Sequence, residues 1–108
     1  IIGVLVAISI PIFTSQLEKA RDATDAANLR AAYAQVSAEL LTNNDPTITS
    51  VTSDPVKITG KTAGFTDVAE IAGVSTTDND VLSAAIAPQQ ITVKVDETSK
   101  APTFTVKN

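Results

Sequence analysis

Side chains able to do chemistry are few in this chain, and they are oxygens and amines. Its 108 residues include no histidine and no cysteine, which removes the commonest general base, the thiol nucleophile and the zinc-thiolate ligands. The densest oxygen cluster is Asp78-Asn79-Asp80. Asp78 and Asp80 are the weak candidates for Ca²⁺, but the ion wants six to eight oxygen ligands and no EF-hand spacing marks them out. A capped turn is the simpler expectation, because Asp and Asn dominate caps and turns. Asp96 and Glu97 are adjacent and would point to opposite faces of a strand, which separates them for acid-base work. Lys94, Lys100 and Lys107 could gather on a hairpin. On a chain of net charge -4 and pI about 4.5 they read as solubilising residues, and no nucleic-acid site is expected. The sequence therefore predicts no cofactor, no metal and no enzyme.

The elements that would position these groups divide sharply at "TNNDP". With 44% hydrophobic and 19% charged residues the chain can fold, as one domain with a modest core. From Ile1 to Leu41 it is Ala-rich and almost free of Gly, and reads as one long helix; Asn43 or Asn44 would cap it in the left-handed conformation ahead of Pro46. Beyond it, "ITVKVDE" and "TFTVKN" alternate and predict an antiparallel hairpin over 91–107, with Ile91, Val93 and Val95 on one face and Phe104 and Val106 on the other. "PVKITGK" supplies a third strand around Val56 to Ile58. "FTDVAEIAG" predicts one or two helical turns, with Thr66 as N-cap and Gly73 past the end. "NDVLSAAIAP" fits a short helix or a buried strand.

Length and face then make the helix the informative element. Roughly 40 residues extend about 60 Å, whereas a compact domain of this size has a radius of gyration near 13 Å. Residues 1–25 are therefore expected to project and 26–108 to form the globular domain. Ile1, Ile2, Val4, Leu5, Val6, Ile8, Ile10, Ile12 and Phe13 make the projecting part apolar, with Ser9 the only polar side chain before Thr14. This run is too short for the about 20 residues of a membrane span and reads as the end of a longer apolar segment. It needs lipid or neighbouring subunits around it. Farther along, Leu29, Tyr33, Val36 and Leu40 form a bulky stripe suited to a sheet. Ala27, Ala31, Ala34 and Ala38 form a stripe on nearly the opposite side; Ala favours helix and is harmless at a surface, but a rod that already needs a partner makes close helix-helix approach the preferred reading. Between the halves, "QLEKARDATD" offers Glu18-Arg21, Lys19-Asp22 and Arg21-Asp25 pairs at helical spacing and reads as a solvated band. It is not the Lys/Arg cluster of a cytoplasmic flank, so with the apolar run in a membrane the domain is expected outside the cytoplasm.

"IIGVLVAISIPIFTSQLEKARDA" resembles the N-terminal helix of type IV pilins and pseudopilins. The resemblance rests on Gly3 followed by Pro11 inside an apolar run, then a charged, Ala-rich amphipathic continuation; it covers about the first 40 residues. It implies an α+β, type IV pilin-like fold: a long protruding N-terminal helix packed against a small antiparallel sheet of about three to four strands. It further implies that a short run of mature residues precedes Ile1, and that a prepilin peptidase and a pilus or secretion assembly machinery act on the chain. Some pseudopilins bind calcium in a C-terminal loop, which is the family counterpart of the Asp78 and Asp80 candidate. Gly3 and Pro11 weaken the helix between them, and either a loss of helical order in the filament or a kink at Pro11 follows.

The expected function is that of a structural subunit, a major pilin that polymerises through its N-terminal helix into an extracellular type IV pilus at a bacterial cell surface. Before assembly the apolar segment would sit in the cytoplasmic membrane. Two alternatives stand beside it: a pseudopilin of a type II secretion or competence system, and a monomeric membrane-anchored surface binding module.

Overall fold

A computed structural model of the chain describes residues 2–65, 67–98 and 101–107, with side chains of the first helix described from Gln16 onward. Ile1 and the side chains of Ile2 to Phe13, read above as the apolar rod, lie outside that description, as do Thr66 and Lys100. The fold is α+β: one long N-terminal helix and a small antiparallel sheet. Helix α1 (Ile2–Thr42) runs through Gly3 and Pro11 without interruption. The molecule extends 69 Å along its long axis and 24 Å across, dimensions that a 41-residue helix of about 61 Å imposes.

The end of α1 departs from expectation. Neither Asn43 nor Asn44 takes a left-handed conformation, since Asp67 and Ala72 are the non-Gly residues with positive φ among those described. Side chains stop the helix instead. The Thr42 hydroxyl donates to the Ala38 carbonyl at 2.8 Å, Asn43 Oδ1 accepts from the Asp45 amide, and Asp45 Oδ1 accepts from the Thr47 amide and hydroxyl. Successive side-chain turns of this kind compete with helical hydrogen bonding, and Pro46 disfavours helix at the residue before it.

The sheet is built on β5 (Gln90–Asp96), which pairs with β6 (Pro102–Lys107) along one side. Its other side is shared by β1 (Ser50–Thr52), opposite Lys94 to Asp96, and β2 (Val56–Lys57), opposite Gln90 and Ile91. Alternation aims Ile91, Val93, Val95, Pro102 and Phe104 inward, all buried. They meet Ala26, Leu29, Ala32 and Val36 of α1, with Tyr33 and Leu40 half-buried at the margin. The expected hairpin, third strand and helix-sheet stripe are all present.

The segment after Gly64 is not the short helix the sequence suggests. It forms a hairpin of β3 (Glu70–Ile71) and β4 (Val74–Ser75). Ala72 and Gly73 turn it at φ 53° and 84°, the positive pair that a two-residue hairpin loop requires. Thr76 locks it, donating its amide to the Ala69 carbonyl at 3.0 Å and its hydroxyl to the Val68 carbonyl. Helix α2 (Asp80–Ser83) follows. Asn79 caps it by accepting from the amides of Val81 and Leu82, and Leu82 is fully buried.

Candidate functional site

Two faces of α1 define the candidate site, and the inner one holds a feature the sequence conceals. Glu18, Asp22 and Asp25 recur at helical spacing and fall on the same side as Leu29 and Val36. Asp22 and Asp25 are each 1% exposed, so the charge band is not simply solvated. The loop from Thr59 to Thr62 wraps over them. Thr59 donates its amide to both Asp25 oxygens at 3.0 Å and its hydroxyl to Oδ1 at 2.7 Å, while the Gly60 amide donates to Oδ2 at 2.9 Å. Glu18 Oε1 accepts from the amides of Lys61 and Thr62 at 2.6 and 2.9 Å. Four consecutive backbone donors thus converge on carboxylates of one helix face, a compact anion-receiving loop of the kind that oriented amides create.

Gly60 is what lets the loop approach so closely. A Cβ there would stand 2.7 Å from Asp22 Oδ1 and 3.2 Å from Glu18 Oε1. The donation from Thr62, above all, holds the Glu18 carboxyl below its ordinary range, with the Lys61 amide and Arg21 adding to it. Of the three charge pairs expected along the helix, Glu18 with Arg21 is seen at 3.5 Å, while Lys19 pairs instead with Asp67 at 3.3 Å. The clasp was not legible because its donors are backbone amides, which carry no residue signature. Glycine in "TGK" opposite an acidic helix face was the available hint.

The outer face carries the expected Ala stripe, and Ala27, Ala31, Ala34 and Ala38 are all exposed. The structure lengthens it. Leu17, Ala20, Thr24, Ala27, Ala31, Ala34, Ala38 and Leu41 are all exposed and follow one another at alternating three- and four-residue steps. That is the residue spacing at which helices pack in heptad seams at about +20°. Its interior is small, and its ends are leucines 38% and 81% exposed. Counted back along the sequence, the same steps pass through Phe13, Ile10, Val6 and Gly3.

At the far end of α1, a groove of about 700 Å³ opens between the helix and the segment that follows it, lined by Tyr33, Leu40, Leu41, Ile48 and Val95 with Asp45 and Glu97 at its margin. Ser37, whose buried hydroxyl has no hydrogen-bond partner, also lines it.

The remaining candidates stay apart. Asp78 and Asp80 flank the capping Asn79 and are exposed, and among the described residues no three acidic side chains are grouped to hold a metal ion. Lys94 and Lys107 lie on the outer sheet face, opposite Thr103 and Gln90 respectively. Among the described residues no helix is long and apolar enough to cross a membrane. Comparison with protein families, curated proteins and solved structures gives no match.

Proposed function

We propose that the chain is a structural, non-enzymatic subunit that polymerises by bundling its N-terminal helices, as the major pilin of a type IV pilus does. The observation that carries this reading is the exposed seam from Leu17 to Leu41 on the side of α1 facing away from its own sheet. Alone, a helix that has already buried one stripe gains only helix propensity from a second, regularly spaced stripe of small residues. Between helices, such residues let backbones approach and pack. The apolar residues from Ile1 to Phe13 extend the same rod; lipid would surround them before assembly and neighbouring rods afterwards. Prepilin peptidase, an assembly machinery and a place on the bacterial surface follow from the family resemblance. Head-to-tail addition of such rods does not close and gives an open filament.

Electron microscopy and mass spectrometry of filaments sheared from cells expressing the complete gene test this. Filaments built chiefly of the unaltered chain, and their loss in Ala31→Glu and Ala34→Glu variants that keep the parent's unfolding midpoint, are the expected result. A chain that stays in the membrane fraction with no filament containing it refutes the major-pilin reading and leaves the secretion pseudopilin or the anchored binding module.

A further inference from the structure

Exposed lysines gather at one end of the globular domain and exposed carboxylates at the other, with Lys94 on the outer sheet face two residues before Asp96. At the end where the clasp holds α1, Lys57 and Lys107 both pair in register with Gln90, one on each side of it, and Lys61 follows in the clasp loop; all three are exposed. Three acids at this end are turned inward, and the exposed Asp67 is taken up by Lys19 at 3.3 Å. Asp22 and Asp25 are buried, and the Glu18 side chain is only 17% exposed, each facing the loop and not solvent. At the opposite end, where α1 stops, Asp45 and Glu97 lie at the margin of the apolar groove, Glu39 lines a neighbouring hollow, and Asp96 is exposed on the outer sheet face. The two ends lie about 24 Å apart along the helix, the rise from Asp25 to Leu41. Among the described residues the ion pairs are Lys19 with Asp67 and Glu18 with Arg21. Among the described residues, neither the three lysines nor the four distal carboxylates take part in an ion pair.

We propose that these ends meet between copies: the acidic rim of the distal groove on one subunit docks against the Lys57, Lys61 and Lys107 end of the next subunit along the filament. The inference rests on the filament reading and adds the contact that orders the globular domains along the axis. Charge complementarity selects a second copy as the occupant, because a predominantly acidic rim and a cluster of lysines occur at opposite ends of a single chain. Such a contact is heterologous and non-closing, which is the symmetry of an open filament. An apolar groove with a charged margin also has the anatomy of a protein interface.

Charge reversal tests it on filaments of the full chain. Lys57→Glu with Lys107→Glu, and separately Asp96→Lys with Glu97→Lys, should each lower the sedimentable filament fraction several-fold at low salt. The four substitutions together should restore it. The neutral Lys57→Gln with Lys107→Gln pair should fall between, and thermal unfolding of each variant checks that the domain folds. Unaltered filaments should fragment as ionic strength rises and the screening length shortens below about 10 Å. Filaments that form from the unaltered chain but sediment equally in every variant and at every salt concentration overturn the ionic contact and leave the filament reading intact. Failure of the unaltered chain to form filaments overturns both.

Discussion

Asp25→Ala should remove more stability than any other charge deletion on α1. The carboxylate accepts three donors from Thr59 and Gly60 at 2.7 to 3.0 Å while only 1% exposed. A hydrogen bond to a charged group contributes about 1.5–3 kcal/mol, and leaving a buried donor unpaired costs a similar amount. Gly60 is buried, so its amide has no water to turn to; Thr59 is exposed and can be partly rehydrated. One full charged bond and a fraction of the others amount to about 3 kcal/mol, offset by the few tenths that Ala gains in a helix. For a domain of this size that is a fall in unfolding midpoint of about 15 °C. Urea unfolding in mild detergent measures it. Helical circular dichroism gives one probe; fluorescence of Tyr33, the chain's single tyrosine with no tryptophan to mask it, gives a second from the helix-sheet margin. Asp25→Asn, which keeps one acceptor but sets an amide against the loop donors, should lie between parent and Ala. A loss under about 0.5 kcal/mol, the range of an ordinary surface substitution, would refute the claim that the loop is fastened through this carboxylate.

Gly60→Ala should destabilise by about 1–3 kcal/mol, the usual cost of overpacking, because its methyl meets Asp22 Oδ1 at 2.7 Å where the loop closes; the thermal midpoint reads this directly. Acid should open the same clasp. The Glu18 carboxyl is held below its ordinary value in the folded state, first by the Thr62 amide. Its contribution is therefore complete above the unfolded value of about 4.3 and is lost as pH falls through the lower folded value. Amide exchange at Lys61 and Thr62, corrected for its intrinsic pH dependence, should lose protection in that window, and Glu18→Gln should abolish the pH dependence of that protection.

What could be read from the sequence was whatever repeats along an element. The long helix, the Leu29-Tyr33-Val36-Leu40 stripe and the 91–107 hairpin all follow from a spacing that side chains display. Residues 67–75 misled because "DVAEIAG" has helical composition, while Ala72 and Gly73 with positive φ and the Thr76 bonds to Val68 and Ala69 make a hairpin of it. Tertiary hydrogen bonding outweighed propensity, which differs among such residues by only about 0.7 kcal/mol each. The clasp failed to show for a different reason. Asp22 and Asp25 have the spacing of surface ion pairs, and only the position of the Thr59–Thr62 loop, more than thirty residues away in sequence, decides that Asp25 meets its amides and Asp22 lies against Gly60.

The clasp and the seam constrain each other through the geometry of one helix. The buried line Asp22, Asp25, Ala26, Leu29, Ala32 and Val36 and the exposed line Leu17 to Leu41 occupy opposite sides of α1 over the same turns. Rotating the helix by one residue, about 100°, would turn two carboxylates toward the apolar core or draw alanines into the space that Leu29 fills. Hydrophobic burial alone fixes such a rotation weakly near Gln16, where the core has ended and no bulky residue of the inner stripe remains. The Asp25 and Glu18 bonds fix it there instead, at the N-terminal margin of the contacts made by the described side chains. On the filament reading, an error in rotation at Glu18 would carry through every turn toward Ile2, so the carboxylates that stabilise the loop also set which residues each rod presents to its neighbours.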